Sequence, residues 1–302
     1  MNTPAYLNTG DKIGIVSTAR KISEQEIEIA VNVLWKWGLK PVLGQHLFSE
    51  DHQYAGADAD RTADLQQMLD DPEIKAILCA RGGYGTGRIV DDLSFEKFAQ
   101  SPKWLVGYSD ITVLHSHLHR HLDMETIHGP MAINFSDERD LGVLKDALFG
   151  EYLSYDFSGN QLNREGTAKG RLVGGNLSIL YSQRSTSSDI ETVGKVLFIE
   201  DLDEYLYHVD RMMMNLKRSG YLSELSGLVV GGMTDMNDNK VPFGKTAEEI
   251  VKEAVSAYSY PVCFGFPAGH LDINNALIMG RTVELKVGKE QCTLDFGHGE
   301  AQ

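Results

Sequence analysis

Short apolar runs alternate with helix-period segments along the first half of the chain. Residues 12–17 (KIGIVS) read as a buried strand, and Ser23 with Glu26 three residues on forms a capping box. The helix it opens runs through Ile27, Val31 and Leu34 and stops at Gly38. A second strand is expected at 41–43, a helix at about 59–69, and a third strand at 73–80 (EIKAILCA). A fourth strand at 104–106 leads into a helical stretch over 111–119. This alternation predicts a parallel sheet with crossover helices. The second half carries strands at 195–199 and 227–231, a capped helix over 246–258, and closing strands at 282–287 and 292–296. Between the halves, over 137–166, the pattern weakens into a polar, glycine-spotted connection. The expected class is α/β: an N-terminal parallel-sheet α/β domain (1–140), a connection (141–165) and a C-terminal strand-rich α+β domain (166–302).

Composition narrows the partners. With 28 Lys+Arg against 43 Asp+Glu the net charge is −15, which repels nucleic-acid phosphates and anionic lipid surfaces at long range. Neither nucleic acid nor membrane is expected as a partner. A few local Arg or Lys residues can still reverse the sign of one pocket, so an anionic small substrate stays open. No secretory pattern opens the chain and no apolar run approaches the ~20 residues needed to cross a bilayer. A cytoplasmic location is the default expectation. Cys79, Cys263 and Cys292 are widely separated and lack CxxC spacing, so they read as reduced thiols, not as a disulfide framework or zinc site.

Two loops leave the carboxyl ends of expected strands, the edge where ligands bind in open α/β sheets. One is Gly107-Tyr108-Ser109-Asp110, where a serine sits on a sharp strand-to-helix turn. Ser109 suits a nucleophile with helix N–H groups beside it, although G-x-S-x-G is absent, and it equally suits a helix cap. The other is Arg81-Gly82-Gly83-Tyr84-Gly85-Thr86-Gly87-Arg88. It fits neither dinucleotide nor P-loop spacing, and serves either as an anion-approaching backbone or as a tight turn. Glu200 is the first polar residue after an apolar strand, within an acidic cluster with Asp201, Asp203 and Glu204. His270 closes the rigid loop Gly265-Phe266-Pro267-Ala268-Gly269. The order Ser109, Glu200, His270 is that of a nucleophile, an orienting carboxylate and a base. His115, His117, His119 and His121 form two i,i+4 pairs that project about 160° apart on a helix. They cannot grip one metal, and a polar helix face is the expected reading.

Together these stretches resemble the LD-carboxypeptidase family of serine peptidases, which includes muramoyltetrapeptide carboxypeptidases and microcin-immunity peptidases. The resemblance rests on Gly10-Asp11-Lys12-Ile13-Gly14-Ile15-Val16, Arg81-Gly82-Gly83-Tyr84-Gly85, Gly107-Tyr108-Ser109-Asp110 and His128-Gly129-Pro130-Met131. Gly174-Gly175-Asn176-Leu177, Phe198-Ile199-Glu200-Asp201 and Gly265-Phe266-Pro267-Ala268-Gly269-His270 extend it over almost the whole chain. It implies Ser109 as nucleophile, His270 as base and then acid, and Glu200 as its partner, with the N–H groups of Gly83 and Asp110 as oxyanion hole. It further implies no metal or other cofactor, a muropeptide as small peptide substrate, and a homodimer.

The implied reaction releases the terminal D-alanine from muropeptide tetrapeptides in wall recycling. Arg81, Tyr84 and Arg88 are the candidates for substrate contacts, the arginines for the D-alanine carboxylate. Two stretches depart from the family pattern: the polar 182–189 (SQRSTSSD) and the 137–166 connection. The competing expectations are a microcin-immunity-like hydrolase of peptidyl-nucleotide amides, and a non-catalytic protein binding a small anion or peptide.

Overall fold

Glu26 accepts from the backbone N–H of Ser23 at 2.8 Å while Ser23 Oγ accepts from the N–H of Glu26 at 3.3 Å, so the first helix begins at its capping box. The computed structural model describes residues 1–135 and 138–297. The first half runs β1 (Lys12–Val16), α1 (Glu24–Lys36), β2 (Lys40–Leu43), α2 (Asp58–Asp70), β3 (Ile74–Cys79), α3 (Glu96–Gln100), β4 (Trp104–Gly107), α4 (Thr112–Leu122), β5 (Thr126–His128) and α5 (Glu138–Phe149). The second runs β6 (Ser154–Ser158), β7 (Gly166–Asn176), α6 (Leu177–Ser182), β8 (Val196–Leu202), α7 (Leu206–Arg218), β9 (Gly227–Thr234), α8 (Ala247–Ala254), β10 (Val262–Phe264), β11 (Leu277–Met279), β12 (Thr282–Val287) and β13 (Gln291–Asp295).

Two sheets result. The first has the order β11-β5-β4-β3-β1-β2 and is parallel except for β11, which returns from the second half to pair antiparallel with β5. The second has the order β10-β9-β8-β7-β12-β13-β6. Strand β7 is its pivot: Gly166 to Arg171 pair antiparallel with β12, and Leu172 to Asn176 pair parallel with β8. One hydrophobic cluster joins the sheets, containing Ile13, Leu78 and Val106 from the first and Phe198, Val229 and Leu285 from the second. Each such side chain contributes roughly 1.5–3 kcal/mol when fully buried.

The stretch from 138 to 166, expected as an irregular connection, holds α5 and the edge strand β6. Leu141, Leu144, Ala147 and Leu148 of α5 are buried, and β6 pairs with β13. Asp137, the expected start of that stretch, lies outside the described residues, as do 298–302 of the expected second domain.

The histidine helix also differs from expectation. It is not a polar face: His115 is fully buried, and His117 and His119 nearly so, on α4 packed against β7 and α6. Burial pushes the His115 imidazole down to about 4 and the His119 imidazole to about 3. They are neutral polar core residues. His115 Nε2 meets the Gly107 carbonyl at 2.9 Å, His117 Nδ1 the Ser188 hydroxyl at 2.9 Å and His119 Nε2 the Thr126 hydroxyl at 3.2 Å.

Candidate active site

Strand ends from both sheets converge on one cleft of about 560 Å³ lined by Ser109, His270, Gly82, Gly83, Tyr84 and Arg20, among others. Ser109 follows β4 directly. Its φ of 62° places a non-glycine residue in the left-handed region, a strain that persists only where the surrounding structure over-determines it. A helix cap adopts extended angles and accepts a backbone N–H through its side chain. Ser109 does neither, so the capping alternative falls and the elbow geometry stands.

The backbone beside it is closely packed. A Cβ on Gly82 would lie 3.1 Å from Ser109 Cβ and 3.3 Å from Ser109 Oγ, so the glycine-rich turn after β3 lies against the nucleophile candidate. Asp110, almost fully buried, accepts from the backbone N–H of Thr86 at 2.8 Å. That bond ties the glycine-rich turn to the serine turn, and burial raises the Asp110 carboxyl above its ordinary value. Among the described residues neither the N–H of Gly83 nor that of Asp110 donates to a backbone carbonyl, so both remain available to an anion.

Across the cleft, Glu200 lies at the end of the buried apolar run of β8 and is itself 0 % exposed. Its Oε2 stands 2.7 Å from His270 Nδ1 and accepts from the His270 backbone N–H at 3.2 Å. The other acidic candidates are engaged elsewhere. Asp201 accepts from Asn176 Nδ2 at 2.8 Å and from the Ser178 N–H at 2.9 Å. Asp203 accepts from Asn237 Nδ2 at 2.8 Å, and Glu204 meets His208 Nδ1 at 2.6 Å. Gly269, at φ 102°, precedes the histidine, and a Cβ there would come within 2.7 Å of the Glu200 side chain.

Burial disfavours the His270 imidazolium, but the Glu200 hydrogen bond and charge outweigh it and hold the pKa above 6.5. The Tyr108 ring packs on His270 with centroids 4.8 Å apart. Burial and the neighbouring Glu200 charge push Asp201 up to about 7. A strained serine, a histidine fixed by a buried carboxylate, and two free N–H groups can together attack a carbonyl and stabilise the resulting oxyanion.

The remaining sequence candidates divide. Tyr84 is exposed on the cleft wall, and Arg81 lines the cleft while lying 3.6 Å from Glu26. Arg88 does not line it: its guanidinium grips the Asp58 carboxylate, with Nε at 3.0 and 2.9 Å from the two oxygens. Sequence reasoning missed Arg20 and Asn176. Arg20 follows β1, a strand end equivalent to those bearing the other site loops. Asn176 caps α6 and donates its backbone N–H to Thr112 Oγ1 at 3.0 Å, linking the serine helix to β7.

Comparison with known proteins finds matches over both halves of the chain. Residues 13–129 match the LD-carboxypeptidase N-terminal domain and residues 169–285 the LD-carboxypeptidase C-terminal domain. The chain belongs to the LD-carboxypeptidase family. It is 34% identical to a probable murein peptide carboxypeptidase of Bacillus subtilis over 98% of this chain and 95% of that one. Its fold superposes on muramoyltetrapeptide carboxypeptidase from Oxalobacter formigenes with a TM-score of 0.85 at 27% identity, covering 95% of this chain and 98% of that one. The microcin C7 self-immunity protein MccF, solved with aspartyl sulfamoyl adenosine, shares the fold at 20% identity, with a TM-score of 0.86 over 97% of this chain and 98% of its own.

Proposed function

We propose that this protein is a serine-type LD-carboxypeptidase that releases the terminal D-alanine from muropeptide tetrapeptides. The observation that carries this reading is the Glu200–His270 contact of 2.7 Å in the cleft that also holds the left-handed Ser109. His270, held by Glu200 through Nδ1, takes the Ser109 proton on Nε2 as Oγ attacks the carbonyl of the penultimate L-residue. The tetrahedral oxyanion accepts from the N–H groups of Gly83 and Asp110, each such donor being worth about 100- to 1000-fold in rate. His270 then gives its proton to the nitrogen of the departing D-residue, and the acyl–oxygen bond to Ser109 is cut by water through the same steps in reverse. Arg81 and Tyr84 contact the substrate from the glycine-rich turn.

The rest of the proposal follows from the family resemblance: a role in wall recycling, a cytoplasmic location and a homodimer. The domain division falls within 141–165, a placement supported by the gap between the two matched segments. The test is D-alanine release from a purified tetrapeptide in the presence of chelator, with wild type beside Ser109→Ala. Release by wild type alone is expected. No release from tetrapeptides carrying either common diamino acid contradicts the reading and points to amide substrates of the peptidyl-nucleotide type.

A further inference from the structure

We infer that Arg20 is the residue that receives the free α-carboxylate of the departing terminal residue, and so makes this site cut only at a chain end. The inference rests on the peptidase reading above and adds the determinant of its exopeptidase character. In a peptide substrate the terminal carboxylate carbon lies only about 4 Å from the scissile carbonyl carbon, because one nitrogen and one Cα separate them. Its cation must therefore stand beside the oxyanion hole itself.

Arg20 meets that condition. Its side chain lies over Gly83: a Cβ on that glycine would fall 2.5 Å from Arg20 Cδ and 2.9 Å from Arg20 Nε. Gly83 in turn follows Gly82, whose own Cβ position is 3.3 Å from Ser109 Oγ. Arg20 is thus held one residue from the nucleophile, with its backbone N–H donating to the Gly82 carbonyl at 3.3 Å. Among the described residues its guanidinium has no carboxylate partner. Arg88, by contrast, is committed to Asp58, and Arg81 faces Glu26. An unpaired, planar fork donor is what a carboxylate takes most strongly, through two parallel N–H···O bonds.

Asp201, Asp203 and Glu204 also line the cleft, and next to them a second anion is disfavoured.

The experiment compares a tetrapeptide ending in D-alanine with the same peptide ending in D-alanine amide. Each is assayed for kcat/KM with wild type, Arg20→Ala, Arg20→Lys and Arg81→Ala, with circular dichroism verifying folding. Wild type prefers the acid by on the order of 100-fold, the value of a charged hydrogen-bonded pair. Arg20→Ala collapses that preference to a few-fold, mainly through KM; Arg20→Lys keeps part of it and Arg81→Ala keeps most. A preference unchanged in Arg20→Ala, or lost in Arg81→Ala instead, overturns the assignment.

Calorimetric binding of both peptides to Ser109→Ala, with and without Arg20→Ala, separates this from failure of the peptidase reading. If wild type releases nothing, acid-over-amide binding that vanishes with Arg20→Ala still supports Arg20. Equal binding of the two peptides, or binding of neither, contradicts it.

Discussion

At the scale of single residues the proposed mechanism needs one imidazole unprotonated at Nε2 while Nδ1 faces a carboxylate. The Glu200 contact holds the His270 pKa above 6.5 against the cost of burial. Activity therefore rises with pH through a value above 6.5, since only the neutral ring can accept the Ser109 proton. The sign for stability is opposite. The His270–Glu200 interaction contributes fully below 6.5 and is lost as pH climbs through the raised value. A kcat/KM profile should show the acid limb above 6.5 in wild type and shifted downward in Glu200→Gln, whose rate falls about 100-fold or more. An unshifted limb in that variant contradicts the assignment of Glu200.

At the scale of elements, the site is assembled by turns whose geometry excludes larger side chains. Gly269→Ala forces a Cβ into the Glu200 side chain and a left-handed backbone onto alanine. The expected cost is about 1–3 kcal/mol of stability, together with a fall in kcat/KM of at least 10-fold as the Glu200–His270 contact is displaced. Denaturant midpoints and steady-state rates check both, and near-wild-type values for each refute the account of this turn.

These elements also mark what the sequence conveys. Capping boxes at Ser23 and Thr246 and the buried runs of β1, β3, β4 and β8 are legible because local chemistry and tertiary role agree. Strand β7 was hidden by its four glycines, and is held as a strand by pairing on both edges. Helix α7 carries a plain stripe at Val209, Met212, Met213 and Leu216, a period that was available to be read. The depth of the α4 histidines was not, because burial is set by β7 and α6, distant in sequence. The same holds for Arg20 and Arg88: which arginine is paired depends on Asp58, and no local pattern reports that.

At the scale of the molecule, two sheets share one hydrophobic cluster, and β11 carries the chain from the second half back into the first sheet. The chain should accordingly unfold as one cooperative unit. Differential scanning calorimetry is expected to give a single transition whose calorimetric and van't Hoff enthalpies agree. Two resolved transitions contradict a shared core. The net charge of −15 disfavours an anionic substrate at long range, so the proposed carboxylate recognition needs a cation held inside the cleft.

The central claim is that Ser109 is an activated nucleophile, and it is tested most directly by covalent labelling. The protein is treated with a serine-directed fluorophosphonate and the modified peptide identified by mass spectrometry, in wild type, Glu200→Gln and Ser109→Ala. Stoichiometric modification at Ser109 is expected in wild type, slower modification in Glu200→Gln and none in Ser109→Ala. Labelling at another residue, or undiminished D-alanine release by Ser109→Ala, contradicts it.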